Sequence, residues 1–298
     1  MTRNLTPLTG LLLVGLLLSG CVTSSDAATA EARAVELDWR HAGQPQAVVV
    51  MVHGFNLNPR RMDEMAALLQ AGNMDVLQVS LAGHRMSLSP ENRRDEFAAM
   101  EGFPVWQANM DQAMSEASSR AASLDLPLYL MGFSMGGLLG ADHLNRHESS
   151  RADRAVLLAP ALSLRWTSWL LRPLGALPDF LLPSLGADQY KANEFVPVSA
   201  YEALYDGVAQ LNEQTRPERL NIPTLVLVSR ADELVSGEGL EAFIAEHRLD
   251  QWALHYVDNS DGDEEVLQHV IVDRNTLGET AWESVTKRIL SFLHSPGD

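Results

Sequence analysis

The sequence predicts an α/β fold, a doubly wound and mostly parallel sheet with one inserted, mainly helical cap. Three observations lead there. From about residue 46 onward, short β-branched apolar runs alternate with segments of helical spacing, as expected for parallel strands covered by helices on both faces. One stretch, at about 160–216, breaks that alternation with five prolines, Trp166 and Trp169, and no strand-like run. The composition, 46% hydrophobic and 20% charged, is that of a globular domain and sets disorder aside.

Before the first strand, residues 1–20 have the form of an export signal. Arg3 supplies a short positive region, and residues 11–18 (LLLVGLLL) are an apolar stretch well short of the roughly 20 residues that span a bilayer. The stretch ends in Leu18-Ser19-Gly20-Cys21, which resembles the bacterial lipobox, whose cysteine is acylated and becomes the new N-terminus. Cys21 is the only cysteine, so an intramolecular disulfide and a thiolate metal cluster are both excluded. Several acyl chains on one residue anchor firmly where a single chain holds marginally. The expected location is therefore the bacterial cell envelope, lipid-anchored. Val22, in place of an aspartate, favours the outer membrane where the organism has one. Residues 21–38 then read as the lipidated cysteine and a polar tether, with the globular domain over 39–298. The formal net charge of −17 would repel nucleic acid, so no such partner is expected.

The elements follow in order. Residues 47–52 (AVVVMV) form a continuous β-branched run, the signature of a central strand. Residues 59–70 place Met62, Met65, Leu68 and Leu69 at helical spacing. Strands are expected at 75–79, 128–133, 155–158, 224–228 and 253–257. Helices are expected at about 106–122, 135–147 and 280–293.

Gly132-Phe133-Ser134-Met135-Gly136 matches G-x-S-x-G between an expected strand and an expected helix, the context that makes this motif a nucleophile turn. Ser134 is the candidate nucleophile. A serine hydroxyl needs a base, and the base needs an orienting acid, in the chain order Ser, Asp or Glu, His. Asp232 stands just past the strand at 224–228 and is the candidate acid; its neighbour Glu233 is the alternative. Three histidines follow it: His247 on an expected helix, His255 within a strand, and His269 after the last strand and a polar loop. His269 is the candidate base. The oxyanion needs two backbone N–H donors, assigned to Met135 and to Phe55 in the His53-Gly54-Phe55 loop. His53 precedes the serine and is expected to shape that loop.

Other chemistries lack their residues. The acidic run around Asp258, Asp261, Asp263, Glu264 and Glu265 fails the calcium-loop spacing. No H-E-x-x-H, phosphate-loop or dinucleotide motif is present. No metal or cofactor is expected.

Together VVVMVHGFNLNP, SLAGHRMS, GFSMGG, LVSRADELVS and QHVIVDRNTLG resemble the α/β-hydrolase fold, in its monoacylglycerol lipase and serine aminopeptidase-like group. The resemblance runs from about residue 46 to 293 and departs at Ser80-Leu81-Ala82-Gly83-His84-Arg85, where the group has Asp-x-x-Gly-His-Gly. It implies a serine hydrolase cleaving carboxylic esters through an acyl-enzyme, of lipase or carboxylesterase type, on an acylglycerol or lysolipid. The apolar cap stretch at 164–185 favours esters. The alternatives are an aminopeptidase or amidase, for which Asp179, Asp188 and Glu194 could hold an amine, and a non-catalytic envelope-binding lipoprotein.

Overall fold

The computed structural model describes residues 34–148, 152–184 and 186–295. The expected signal and Cys21 lie outside the described residues. Seven strands form the main sheet: β1 (Glu36–Arg40), β2 (Ala47–Val52), β3 (Met74–Ser80), β4 (Leu128–Phe133), β5 (Arg154–Leu158), β8 (Thr224–Ser229) and β9 (Trp252–Val257). Their order is β1-β3-β2-β4-β5-β8-β9, and all neighbours are parallel except β1 against β3.

Strand β1 corrects the expected boundary of tether and domain at 38/39. The sheet begins at Glu36, where Leu37 pairs with Val79 and Trp39 with Leu77. Leu37 and Trp39 pack against the core while Asp38 between them is exposed. This is the alternation of a strand with one wet face, diluted to the eye by three charged residues in five.

The doubly wound character is visible in β2. Val48, Val50 and Val52 enter one apolar cluster with Trp106 and Met110 of α3 (Phe103–Leu124) and Leu138 and Leu139 of α4 (Met135–Arg146). Ala47, Val49 and Met51 enter the other, with Met65 and Leu69 of α1 (Asp63–Ala71) and Trp282 and Ile289 of α9 (Glu279–His294). Each such buried side chain contributes about 1.5–3 kcal/mol, and a strand apolar on both sides has no other stable place than between two helical layers.

Besides β1, a helix and two strands were not foreseen in the sequence. The helix α2 (Pro90–Ala98) is mostly polar, started by Ser89 accepting from the Asn92 N–H and by Pro90 at its first position. Between β5 and β8 lies the cap, with a 3-10 run (Trp166–Ala176) and α5 (Val198–Glu213). The cap also contains two short antiparallel strands where none was expected, β6 (Leu181–Pro183) and β7 (Phe195–Pro197). Proline closes each strand, which keeps them to three residues. After the cap come α6 (Pro217–Leu220), α7 (Gly237–Glu246), and α8 (Arg274–Leu277) preceding α9. Among the described residues, no helix is long and apolar enough to cross a membrane.

The direction of winding reverses between β2 and β4, which are neighbours in the sheet with β3 on the far side of β2. Ligands of open α/β sheets bind beyond the carboxyl ends of the strands at such a point. The loops that leave β2 and β4 there carry Phe55 and Ser134.

Candidate active site

Ser134 sits between β4 and α4 with φ 51° and ψ −113°, a backbone state that L-residues adopt only when the surroundings impose it. The surroundings are close. A Cβ on Gly132 would lie 2.5 Å from the Gly136 carbonyl oxygen, and one on Gly136 would overlap the Val52 carbonyl oxygen. The two glycines therefore let β4, the turn and β2 meet. The Ser134 N–H donates to Leu158 O at 2.8 Å, and its carbonyl accepts from the Ala161 N–H at 3.0 Å. The serine is thus tied to the end of β5 as well as to its own strand.

The structure brings Ser134, Asp232 and His269 together from three different loops. His269 Nε2 is 2.9 Å from Ser134 Oγ, and His269 Nδ1 is 2.8 Å from Asp232 Oδ2. An ionised carboxylate can only accept, so Nδ1 carries the proton and Nε2 is left to accept from the serine hydroxyl. The other carboxylate oxygen, Oδ1, accepts the N–H groups of Leu234 and Val235 at 2.8 and 2.7 Å. All three residues are buried. His255 instead lies within β9, 3.3 Å from Arg288, and His247 packs on Phe243 at the end of α7; neither approaches the serine.

Glu233 has a different task from the one weighed for it. Its two carboxylate oxygens accept the N–H groups of Gln268 and His269, each at 3.0 Å, so it holds the backbone that carries His269. Arg165 Nε donates to the Asp232 carbonyl at 2.6 Å. Asn259, fully buried, donates to Gln268 O at 3.1 Å and accepts from Ser229 Oγ at 2.6 Å. None of these supports carries a sequence signature. Asn259 is an ordinary loop asparagine until the fold surrounds it.

The loop bearing Phe55 rests on two buried histidines. The Leu81 N–H donates to His53 Nε2 at 3.1 Å, and the Asn56 N–H donates to His84 Nε2 at 2.9 Å. Both rings are therefore neutral acceptors, with Nδ1 donating to the carbonyls of Gly54 and Ala82. Burial pushes His53 down to about 4, against a weaker opposing pull from its bond to Gly54. Burial, with the neighbouring His53 adding to it, takes His84 well below its ordinary value. Asn56 adopts φ 50° and binds the cap: its Nδ2 donates to Ser184 Oγ and Asn193 O, and its Oδ1 accepts the Asn193 N–H at 3.0 Å. A second tie runs from the Tyr190 hydroxyl to Asp273, at 2.9 and 3.0 Å to its two oxygens.

Ser134 and His269 open into a cavity of about 460 Å³ under the cap, within the range of small-molecule sites. Its lining is dominated by apolar and aromatic groups, among them Phe55, Leu57, Leu164, Leu204, Val235 and Leu267, and among the described residues it includes no carboxylate. Asp179, Asp188 and Glu194 are exposed and border none of it.

Away from the cavity, one trio of groups capable of binding a metal comes together among the described residues: Asp111, His143 and His147, with ligand atoms within 4.8 Å of one another. The i, i+4 spacing of the histidines at the end of α4 was its signal. The Arg146 guanidinium already grips Asp111 with two bonds of 2.7 and 2.9 Å, so the cation at this carboxylate is an arginine.

Comparison with known proteins gives the same picture from another side. Residues 43–260 match the Hydrolase_4 family, described as serine aminopeptidase S33; the match includes Ser134 and Asp232 and stops before His269. The monoglyceride lipase of Rattus norvegicus is 27% identical over 225 residues, covering 67% of this chain and 70% of that one. Among solved structures, a metagenome-derived lipolytic enzyme from the LipS and LipT study superposes with a TM-score of 0.66 at 23% identity, over 86% of this chain and 96% of that one. A soluble variant of the monoglyceride lipase of Saccharomyces cerevisiae gives 0.67 at 13% identity, over 89% and 92%.

Proposed function

The chain belongs to the serine aminopeptidase S33 family and is a serine hydrolase of the α/β-hydrolase fold, and we propose that it cleaves carboxylic esters of a single acyl chain through an acyl-enzyme. The observation that carries this reading is the relay of Ser134, His269 and Asp232 opening into an apolar cavity that no carboxylate of the described residues borders. A free amine would need such a carboxylate, so the aminopeptidase chemistry in the family's description finds no support in the lining. The likeness to monoglyceride lipases supports a lipid ester.

Ser134 Oγ attacks the ester carbonyl as its proton passes to His269 Nε2. Asp232 keeps Nδ1 protonated and offsets the charge of the imidazolium. The N–H groups of Phe55 and Met135 receive the oxyanion. The alcohol leaves with the proton from His269, and a water deprotonated by the same nitrogen releases the acid and restores the serine. Anchoring in the envelope through acylated Cys21 belongs to the same proposal. The large apolar side chains that the cap leaves exposed, Trp166, Leu177, Phe180 and Phe195, support work at a lipid surface.

The test is turnover of p-nitrophenyl esters from acetate to palmitate, with Ser134→Ala as control. Activity present in the native protein and absent in the variant is expected, with an optimum at intermediate or long chains. A folded protein that turns over no ester, or a Ser134→Ala variant as active as the parent, overturns the reading.

A further inference from the structure

The cavity wall holds one permanent cation. Among the described residues that border it, Lys191 is the only lysine or arginine. Lysine is scarce in this chain, which has two, Lys191 and Lys287, among 22 basic residues. A lysine retained in the cavity of so acidic a protein calls for a physical reason.

Its backbone is fixed with respect to the chemistry. Lys191 forms an antiparallel bridge with Leu57. On either side, the Asn58 N–H donates to Tyr190 O at 2.8 Å and the Ala192 N–H donates to Asn56 O at 2.9 Å. Its Cα therefore stands opposite the residue two places after Phe55, whose N–H is the proposed oxyanion donor. The Lys191 side chain is 18% exposed, and its ammonium meets Asp188 at 2.9 Å, whose own side chain is 97% exposed. An ion pair with so wet a partner contributes little, and that carboxylate can turn to water at small cost. The Lys191 side chain thus stands mostly out of water in the cavity wall, and the counter-ion of its ammonium is exchangeable.

A second polar group borders the same space. The Tyr201 ring packs on Phe55 with centroids 4.9 Å apart, and among the described residues its hydroxyl has no hydrogen-bond partner. Burial pushes that phenol up to about 12, so it stays a donor across ordinary pH. A donor and a cation face a lining otherwise dominated by apolar groups, and a net charge of −17 would repel an anion approaching without them. The acyl chain of an ester has no charge to offer such groups. The partner they fit is on the alcohol side.

Building on the ester-hydrolase reading above, we propose that Lys191 is a specificity residue that binds an anionic phosphate on the alcohol portion of the substrate. The preferred class is then the anionic single-chain lysophospholipid, ahead of the neutral monoacylglycerol of equal chain length. Asp188 occupies the ammonium while the cavity is empty and yields it to the phosphate.

The experiment compares kcat/KM for 1-octanoyl-glycerol 3-phosphate and 1-octanoylglycerol with the native protein, K191M and K191R. The native protein is expected to favour the phosphate ester. K191M, which keeps the apolar stem, lowers the ratio of phosphate to neutral ester about tenfold through KM, as expected for a lost charge-assisted bond; K191R retains most of it. A ratio that K191M leaves unmoved overturns the proposal and makes the lysine a stem packed in the wall. A binding arm separates this failure from failure of the esterase reading. Titration calorimetry of Ser134→Ala with octyl phosphate and with 1-O-octylglycerol needs no turnover. Adding K191M should weaken octyl phosphate about tenfold more than the ether, and equal weakening of the two overturns the proposal whether or not any ester is cleaved.

Discussion

The two walls of the cavity are built to different standards. The sheet side is over-determined: Ser134, Asp232, His269, His53 and His84 are all buried. Ser134, His53 and His84 are held by backbone groups of another strand end or loop, Asp232 by N–H groups of its own loop, and His269 by the carboxylates of Asp232 and Glu233. The cap side has two three-residue strands, a 3-10 run, and exposed apolar side chains, with Trp166 at 74%. Its helix α5 packs Ala203, Leu204, Val208 and Leu211 into the core, while the stretch before it is tied down by polar contacts, chiefly the Asn56–Asn193–Ser184 set and the bond from Tyr190 to Asp273. The difference teaches which task needs which precision. Proton transfer between serine and histidine fails with a displacement of about 1 Å, while choosing an acyl chain needs only shape and polarity.

The strongest way to break this contrast is Asp232→Asn. The sheet wall predicts a loss of kcat near 10⁴-fold, about 5 kcal/mol, because the amide reverses the tautomer of His269. The variant should still fold, with ester kinetics and circular dichroism as the measurements. A loss under tenfold would mean that the wall is less exacting than its geometry.

Gly136→Ala attacks the same wall through its backbone. The added methyl would strike the Val52 carbonyl oxygen, and destabilisation of about 3 kcal/mol or more is expected in urea unfolding. A variant of native stability would show that β2 and the Ser134 turn can move apart.

The sheet wall also predicts a pH response. His53 is held near 4 in the folded protein against 6.5 for the free side chain. Its neutral-state contribution is complete above pH 6.5 and is lost as pH falls from there towards 4, because only the unfolded chain takes up the proton in that window. The linkage is about 2 kcal/mol between pH 7 and 4.5, and His84 acts in the same direction. Unfolding free energies at the two pH values check it, and a flat profile would mean that the pair titrates normally.

Trp166→Ser should do least to the fold. With the ring three-quarters in water, stability should move by no more than about 0.5 kcal/mol. Hydrolysis of esters presented in vesicles should fall relative to soluble esters. Equal effects on both would make the cap a plain lid without a role at a surface.

The sequence made the core legible because its signals are local. A six-residue β-branched run such as 47–52 can only be buried on both faces, and glycines flanking Ser134 between a strand and a helix mark a tight turn. Strand β1 and helix α2 were missed for the opposite reason. Their apolar residues are few, and what stabilises them is pairing with β3 and a serine cap. In the cap, prolines announced irregular structure without showing that β6 would find β7.

The sequence alone determined the order of the central parallel strands and the helices beside them, the inserted cap, and the three chain positions whose side chains meet, because residue type and periodicity act over a few neighbours. Only the tertiary structure decided that Glu233 holds the backbone of His269, that His53 and His84 carry the Phe55 loop as neutral acceptors, and that Lys191 borders the cavity. Those roles depend on partners between 28 and 134 residues away in the chain. A side chain's charge state and purpose follow from what the completed fold packs against it.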